Sequence, residues 1–174
     1  ATTTAILALG DALAMAVSHL KGFSATDFRK SHPGGQLGRQ MMPITEALRF
    51  KAGVNLPLVS EMVTVESMLQ QAAQTPRRAG AVLLVDEQGK LSGIFTDADL
   101  RRLLLRDGTG VLQQGIRSVM TRNPMALSDS AVVRDAVQMI REKRLDEIPV
   151  VDASGKPVGL IDVQDLIALK VIQE

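Results

Sequence analysis

The sequence predicts an α/β protein whose main part is two repeats of a β-α-β-β-α unit. Residues 85–100 (VDEQGKLSGIFTDADL) match residues 151–166 (VDASGKPVGLIDVQDL) at a constant offset of 66 residues, which indicates that whole supersecondary units recur. In both repeats, short apolar runs alternate with segments whose apolar residues follow helical spacing. The core must be aliphatic, because 45% of the residues are hydrophobic while only four are Phe and none is Trp or Tyr.

The elements of the first repeat follow one another closely along the chain. Helical spacing over residues 65–74 predicts a helix, and the apolar run 81–85 predicts a strand. A turn containing glycine then leads to a second strand over 91–95, so the two strands are expected to form a hairpin. Apolar residues return to helical spacing over 97–105. The second repeat gives the same order, with helices over 132–141 and 163–170 around a hairpin of strands 148–151 and 157–161.

The first 42 residues match neither repeat. They contain a threonine cluster, a helical pattern over residues 10–21 and the loop 31–39. A segment of this length with one good helix cannot bury a core of its own, so we expect the tail of a domain truncated at its N-terminus. The apolar face of its helix is then expected to lack a partner. Thr2, Thr3 and Thr4 precede that helix, which favours N-capping or, alternatively, contact with a sugar phosphate.

Composition and charge exclude several classes of function. Twenty Lys and Arg against nineteen Asp and Glu leave a net charge of +1, which argues against nucleic-acid binding. No cysteine and two histidines argue against a structural metal, and no cofactor is expected. The longest apolar stretches, such as 5–9 and 79–85, are far shorter than the roughly 20 residues that span a bilayer. No signal peptide is recognisable either, so a cytoplasmic protein without a membrane segment is expected.

Both repeats carry the same motif where the second strand meets the following helix. It reads Gly93-Ile-Phe-Thr-Asp-Ala-Asp99 in the first repeat and Gly159-Leu-Ile-Asp-Val-Gln-Asp165 in the second. Two tandem units with Gly-hydrophobic-x-(Thr/Ser)-x-x-Asp resemble a pair of CBS domains, here over residues 44–107 and 113–174. The resemblance implies that the two units pack pseudo-symmetrically and bind nucleotides in clefts between their sheets. It also implies that the motif's Thr or Ser holds phosphate and that its Asp holds the ribose hydroxyls.

The chemistry of the first motif agrees with these implied roles. Thr96 stands where free backbone N–H groups at a helix start favour an anion, and Asp99 can accept hydrogen bonds from two ribose hydroxyls. In the second motif Asp162 replaces the Thr and would repel phosphate, although Asp165 keeps the ribose position. One good nucleotide site is therefore expected rather than two equal ones. The alternative is that Thr96 and Asp162 are only helix N-caps.

The N-terminal segment carries a second resemblance. Thr2-Thr-Thr-Ala5, Leu9-Gly-Asp-Ala-Leu-Ala14 and the loop Phe28-Arg-Lys-Ser-His-Pro-Gly-Gly-Gln-Leu-Gly-Arg39, followed directly by the repeats, resemble the end of the sugar-isomerase (SIS) domain of D-arabinose-5-phosphate isomerases. The resemblance implies that His32 belongs to an active site whose Lys and two Glu lie upstream of this chain. An imidazole can move protons in aldose–ketose isomerisation near neutral pH. The alternative for His32 is a solvent-exposed loop residue.

Together these features predict the regulatory CBS pair of an isomerase that converts ribulose 5-phosphate to arabinose 5-phosphate for Kdo and lipopolysaccharide synthesis. The chain alone is expected to be inactive. A nucleotide sugar such as CMP-Kdo is the expected ligand, with Arg101 and Arg102 beside Thr96 and Asp99 for its carboxylate or phosphate. Either arginine is otherwise a residue of a solvated basic face. The alternatives are an adenosine-nucleotide sensor from another parent protein, or a dimerisation module without a ligand; homo-oligomers, a CBS dimer and a tetrameric parent, are family expectations.

Overall fold

A computed structural model describes residues 2–24, 27, 35–75 and 79–171 of the chain. The chain forms two compact units, residues 1–41 and residues 42–174. His32 and most of its loop lie outside the described residues.

The N-terminal unit contains the helices α1 (Thr2–Leu20) and α2 (Gln36–Gln40). The predicted start of the first helix at residue 10 was wrong, because Thr2, Thr3 and Thr4 form its first turn. They are therefore helical residues rather than N-caps. The alanine and leucine residues that follow are strong helix formers and extend the helix back to the threonines. None of the residues of α1 is buried, so its apolar side chains are exposed as expected.

Helix α1 also bears on the expectation that no segment crosses a membrane. By length and composition, α1 is long and apolar enough to do so. Thr, Gly and Ser interrupt its apolar stretches, which is why the sequence pattern did not indicate this. The core helix of a soluble protein and a signal sequence have the same properties, so length and composition alone do not place α1 in a membrane.

The second unit contains five helices of the described chain and eight short strands. Its helices are α3 (Ile44–Ala47), α4 (Val65–Ala73), α5 (Asp97–Asp107), α6 (Val133–Lys143) and α7 (Val163–Ala168). Its strands are β1 (Phe50–Lys51), β2 (Leu58–Ser60), β3 (Ala81–Val85), β4 (Leu91–Thr96), β5 (Thr121–Arg122), β6 (Leu127–Ser128), β7 (Glu147–Val151) and β8 (Pro157–Asp162). Two 3-10 segments, Gly108–Gln113 and Ile116–Ser118, join the two repeats.

The predicted order β-α-β-β-α is confirmed in both repeats, as β2-α4-β3-β4-α5 and β6-α6-β7-β8-α7. Strands β3 and β4 form one antiparallel hairpin, and β7 and β8 form the other. In each repeat the first strand lies parallel to the first strand of the hairpin. The helix between them makes the crossover that parallel strands require.

Each sheet also contains one strand from outside its own repeat. One sheet has the order β1-β8-β7-β6 and the other has the order β2-β3-β4-β5. Strand β1 thus precedes the first repeat but pairs with β8, while β5 follows the first repeat and pairs with β4. Backbone hydrogen bonds repeat the exchange, since Val65 donates to Gln114 and Val133 donates to Met42. The segments that flank the first repeat therefore connect the two halves of the fold.

Three aliphatic clusters form the core of this unit. One lies under the second repeat and includes Ile44 and Leu48 of the α3 segment. Another lies under the first repeat and includes Val111 and Ile116 from the 3-10 segments. The third joins the two sheets through Phe50, Leu56, Ala81, Leu83, Ile94 and Leu160. Each repeat therefore completes its core with side chains that lie outside the β-α-β-β-α pattern.

The two hairpin turns also meet. In each turn an aspartate accepts hydrogen bonds from backbone N–H groups two and four residues later, Asp86 in one and Asp152 in the other. The N–H of Leu91 donates to the carbonyl of Gly155 at 2.9 Å, from one repeat to the other. The turns thus add a polar connection to the apolar one between the sheets.

We predict that residues from about 44 to 172 behave as one cooperative module. Limited proteolysis should remove about the first 40 residues and leave the remainder intact, because the flanking segments share their core clusters with the opposite repeat. Mass spectrometry of the digest checks this result. Cleavage within residues 107–110 that yields two separately stable halves would contradict it.

Candidate functional site

A cavity of about 720 Å³ lies at the start of α5. Three parts of the fold form it: the end of β4 with the first turns of α5, the loop after β5, and the end of α6 with the start of β7. The cavity therefore lies between the two repeats. Its size is in the range of ligand pockets in proteins, roughly 300–1,000 Å³.

Thr96 and Asp99 lie together at this cavity and cap α5. The Thr96 hydroxyl oxygen accepts a hydrogen bond from the N–H of Asp99 at 3.1 Å. In return, Asp99 Oδ2 accepts from the N–H of Thr96 at 2.9 Å and from its hydroxyl at 2.8 Å. The pair forms a reciprocal capping box. The N-cap alternative is thus correct for Thr96, and the cap holds both side chains at the cavity.

Four cationic side chains line the same cavity: Arg101 and Arg102 on α5, and Lys143 and Arg144 at the end of α6. The Arg102 guanidinium donates to Asp99 Oδ1. Within the described part of the chain, the other three cations form no ion pair. Arg144 follows the last residue of α6 in a left-handed conformation, with φ 54°. Two sides of the cavity thus present positive charge to a ligand.

Acidic residues line another part of the cavity. Glu147, the first residue of β7, is half-buried there. Burial, reinforced by four aspartates, raises the pKa of its carboxyl to about 7. The four are Asp162, Asp146, Asp97 and Asp99. Because a carboxyl with such a pKa holds its proton much of the time at neutral pH, Glu147 can donate a hydrogen bond as well as accept one.

The second repeat places its motif differently. Asp162 caps α7 by accepting a hydrogen bond from the N–H of Gln164 at 2.8 Å. Asp165 is buried, with 7% of its surface exposed, and lies 3.7 Å from the Arg49 guanidinium. Burial, more than repulsion by Asp162, raises the pKa of the Asp165 carboxyl. Asp165 does not line the cavity of the first motif, so it is not brought together with Thr96 and Asp99.

The structure thus brings together four of the predicted ligand residues, Thr96, Asp99, Arg101 and Arg102. Thr2, Thr3 and Thr4 lie exposed on α1 in the other unit. His32 lies outside the described residues, and its assignment stays a prediction.

Sequence reasoning missed three charged residues of the cavity: Lys143, Arg144 and Glu147. The only signal for them was their position at the helix-to-strand junction of the second repeat, which is far in sequence from the first motif. A comparison of the repeats at the offset of 66 residues would have paired Glu147 with Ala81. An acid in place of a buried alanine is the kind of departure that marks a functional position.

A family model described as "CBS domain" matches residues 54–106 and 116–171. The chain belongs to the CBS domain family. Solved CBS domain structures share its fold. A CBS domain protein from Pyrobaculum aerophilum complexed with AMP superposes with a TM-score of 0.63 at 18% identity, over 75% of this chain and 98% of that one. The CBS domain of a membrane protein from Sphaerobacter thermophilus gives 0.65 at 19% identity, over 84% and 98%.

The CBS pair is also similar in sequence to bacterial sugar-phosphate isomerases. Arabinose 5-phosphate isomerase KdsD of Pseudomonas aeruginosa is 39% identical over 166 residues, which are 95% of this chain and 50% of the relative. Arabinose 5-phosphate isomerase GutQ of Escherichia coli K12 is 34% identical over 164 residues, 94% of this chain and 50% of the relative. The chain spans about half the length of the curated relatives it matches. The resemblance inferred from the sequence motifs is thus confirmed.

Proposed function

We propose that residues 42–174 form the regulatory nucleotide-binding module of a D-arabinose-5-phosphate isomerase. The observation that carries this proposal is the cavity between the two repeats, where the capped start of α5 meets cations from α5 and α6. The isomerase relatives support the parent activity, the conversion of ribulose 5-phosphate to arabinose 5-phosphate. The AMP complex of a protein with the same fold supports a nucleotide as the ligand class.

The cavity has the groups that a nucleotide needs. Backbone N–H groups at the start of α5 and the Thr96 hydroxyl can donate to a phosphate, and the helix dipole favours its negative charge. Asp99 can accept from the two ribose hydroxyls. Arg101, Lys143 and Arg144 are available for a further phosphate or a carboxylate, since they have no ion partner in the described part of the chain.

Ligand binding at this site requires an exchange of partners. Asp99 is bound to Arg102 and to the Thr96 hydroxyl in the unliganded arrangement. A ribose that binds Asp99 competes with both groups, and each is then free to donate to the phosphate. This exchange gives the ligated and unligated states different contacts at α5. Only such a difference in affinity between two states allows a ligand to regulate an enzyme.

The preferred ligand is a nucleotide sugar that carries an acidic group, and CMP-Kdo fits this description as a downstream product of the pathway. An adenosine nucleotide, sensed on behalf of another parent activity, is the second candidate, and the AMP-bound structure of the same fold favours it. The uncommitted cations on two sides of the cavity favour the ligand with two separated anionic groups. In the whole protein, His32 would act in proton transfer and Thr2, Thr3 and Thr4 would lie near the sugar phosphate.

The test of the proposed function is an activity assay on the whole isomerase. We expect CMP-Kdo to inhibit the intact enzyme and to leave a variant without the CBS pair unaffected. AMP and ATP, assayed in parallel, separate energy sensing from feedback by the pathway product. If no nucleotide changes the activity of the intact enzyme, or if CMP-Kdo inhibits the deletion variant equally well, the regulatory assignment is wrong.

A further inference from the structure

We propose that Glu147 selects the base of the bound nucleotide and favours bases that carry an amino group next to an unprotonated ring nitrogen, as adenine and cytosine do. This inference rests on the proposed function, because it assumes that the cavity takes a nucleotide. It assigns specificity to a residue that lies outside both sequence motifs.

The position of Glu147 in the fold supports this role. It begins β7, while Thr96 and Asp99 begin α5, so the carboxyl comes from the opposite repeat to the groups assigned to phosphate and ribose. Its Oε1 atom would lie 2.6 Å from a Cβ atom placed on Gly80. The carboxyl therefore packs against bare backbone, where any larger residue than glycine would displace it. The fold thus provides a fixed place for a carboxyl at the cavity wall.

The surroundings of Glu147 suit a flat ring. Ile94, Leu145 and Pro149 line the same cavity, and Ile94 and Pro149 are buried. An aromatic heterocycle can contact these apolar side chains with its faces while its polar edge requires a hydrogen-bonding partner. With phosphate and ribose at the start of α5, Glu147 is the polar side chain that β7 offers to the base.

The chemistry of the carboxyl decides which base edge fits. A protonated carboxyl donates through its O–H and accepts through its carbonyl oxygen. Adenine and cytosine present an amino donor beside a ring-nitrogen acceptor, which matches both atoms. Hypoxanthine and uracil present a ring N–H beside a carbonyl, so in the same orientation a donor meets a donor or an acceptor meets an acceptor. Because buried polar groups that lose their partners are costly, the mismatched bases should bind more weakly.

The charges around Glu147 favour the protonated form that this pairing needs. Asp97 and Asp99 act from α5, Asp146 from the residue before β7 and Asp162 from the end of β8. The cations of the cavity, Arg101, Arg102, Lys143 and Arg144, act in the opposite direction, and the anionic groups of a ligand would neutralise them. The pKa of Glu147 is about 7 in the free protein. Nucleotide binding should therefore take up a proton from solvent at mildly alkaline pH and weaken as the pH rises.

The experiment compares two pairs of nucleotides that differ at this edge, AMP with IMP and CMP with UMP, by calorimetric titration of the chain at about pH 6 and about pH 8. For the wild type we expect AMP and CMP to bind about tenfold or more tightly than their partners. Glu147→Gln should keep this preference, because an amide also donates and accepts, but it should abolish the pH dependence. Glu147→Leu should remove the preference. Glu87→Gln, an equal change of charge in an exposed turn, is the control and should behave as the wild type.

The outcomes separate the two proposals. Equal affinities within both pairs for the wild type, or a preference that survives in Glu147→Leu, would overturn the role of Glu147 and leave nucleotide binding established. Failure of all four nucleotides to bind would overturn the proposed function and this inference together. Thermal unfolding checks that each variant is folded. Because the raised pKa of Glu147 contributes stability that is lost as the pH rises through about 7, Glu147→Gln should also reduce the pH dependence of the melting temperature.

Discussion

Gly159→Ala should destabilise the CBS pair by an amount at the upper end of about 1 to 3 kcal/mol. A Cβ atom at this position of β8 would lie 2.7 Å from the carbonyl oxygen of Phe50 and 2.6 Å from Leu48 Cδ1. Phe50 belongs to β1, which crosses over to pair with β8, and both Phe50 and Leu48 are buried. The backbone oxygen cannot rotate away, so the added methyl group must push β1 off the sheet edge. Urea unfolding followed by circular dichroism measures the loss.

The repeat supplies a matched control for this prediction. Gly93 is the equivalent residue of β4, and a Cβ atom there would meet the Sδ atom of Met120 at 2.4 Å. A methionine side chain can change rotamer, so Gly93→Ala should cost less than Gly159→Ala. Gly110→Ala, where a Cβ atom meets nothing within 4 Å, should leave the stability unchanged or slightly raised. Equal losses for Gly93→Ala and Gly159→Ala would show that the strand exchange does not restrict this position.

Thr96→Ala should weaken nucleotide binding by about 1 to 3 kcal/mol, the range for hydrogen bonds to charged groups. The substitution removes the hydroxyl that is expected to donate to phosphate, and it also removes one half of the capping box with Asp99. Asp162→Ala should leave binding unchanged or improve it, because it removes a negative charge from the motif that lacks the hydroxyl. Calorimetric titration with AMP and CMP-Kdo at about pH 6, where Glu147 holds its proton, measures both effects.

The comparison between these two variants separates binding from folding. Thr96 and Asp162 both cap a helix, so each alanine should reduce the stability of the fold by about 1 kcal/mol. Only Thr96→Ala should also reduce binding. Thr96→Ser retains a hydroxyl for both roles and should preserve the affinity. Equal losses of binding for Thr96→Ala and Asp162→Ala would mean that the two motifs contribute alike and that the expected asymmetry is wrong.

Local pattern was sufficient to predict the elements of each repeat. The strand over residues 81–85 was predicted with its observed bounds, and the helix over 97–105 extends two residues further, to Asp107. These elements are fixed by short-range rules, namely the period of apolar residues, the turn chemistry and the capping residues. By contrast, β1 and β5 have two residues each and carry no periodic signal. Their pairing with the distant strands β8 and β4 was therefore not predictable.

The candidate site divides in the same way. Thr96 and Asp99 could be found because they lie in one motif, three residues apart, at a junction that the sequence marks. Lys143, Arg144 and Glu147 reach the same cavity only through the packing of the second repeat against the first. Sequence alone therefore determined the CBS pair, its aliphatic core and the asymmetry between Thr96 and Asp162. The tertiary structure decided which charges face the ligand and which segments complete each core, because these depend on contacts between residues far apart in the chain, which local periodicity does not encode.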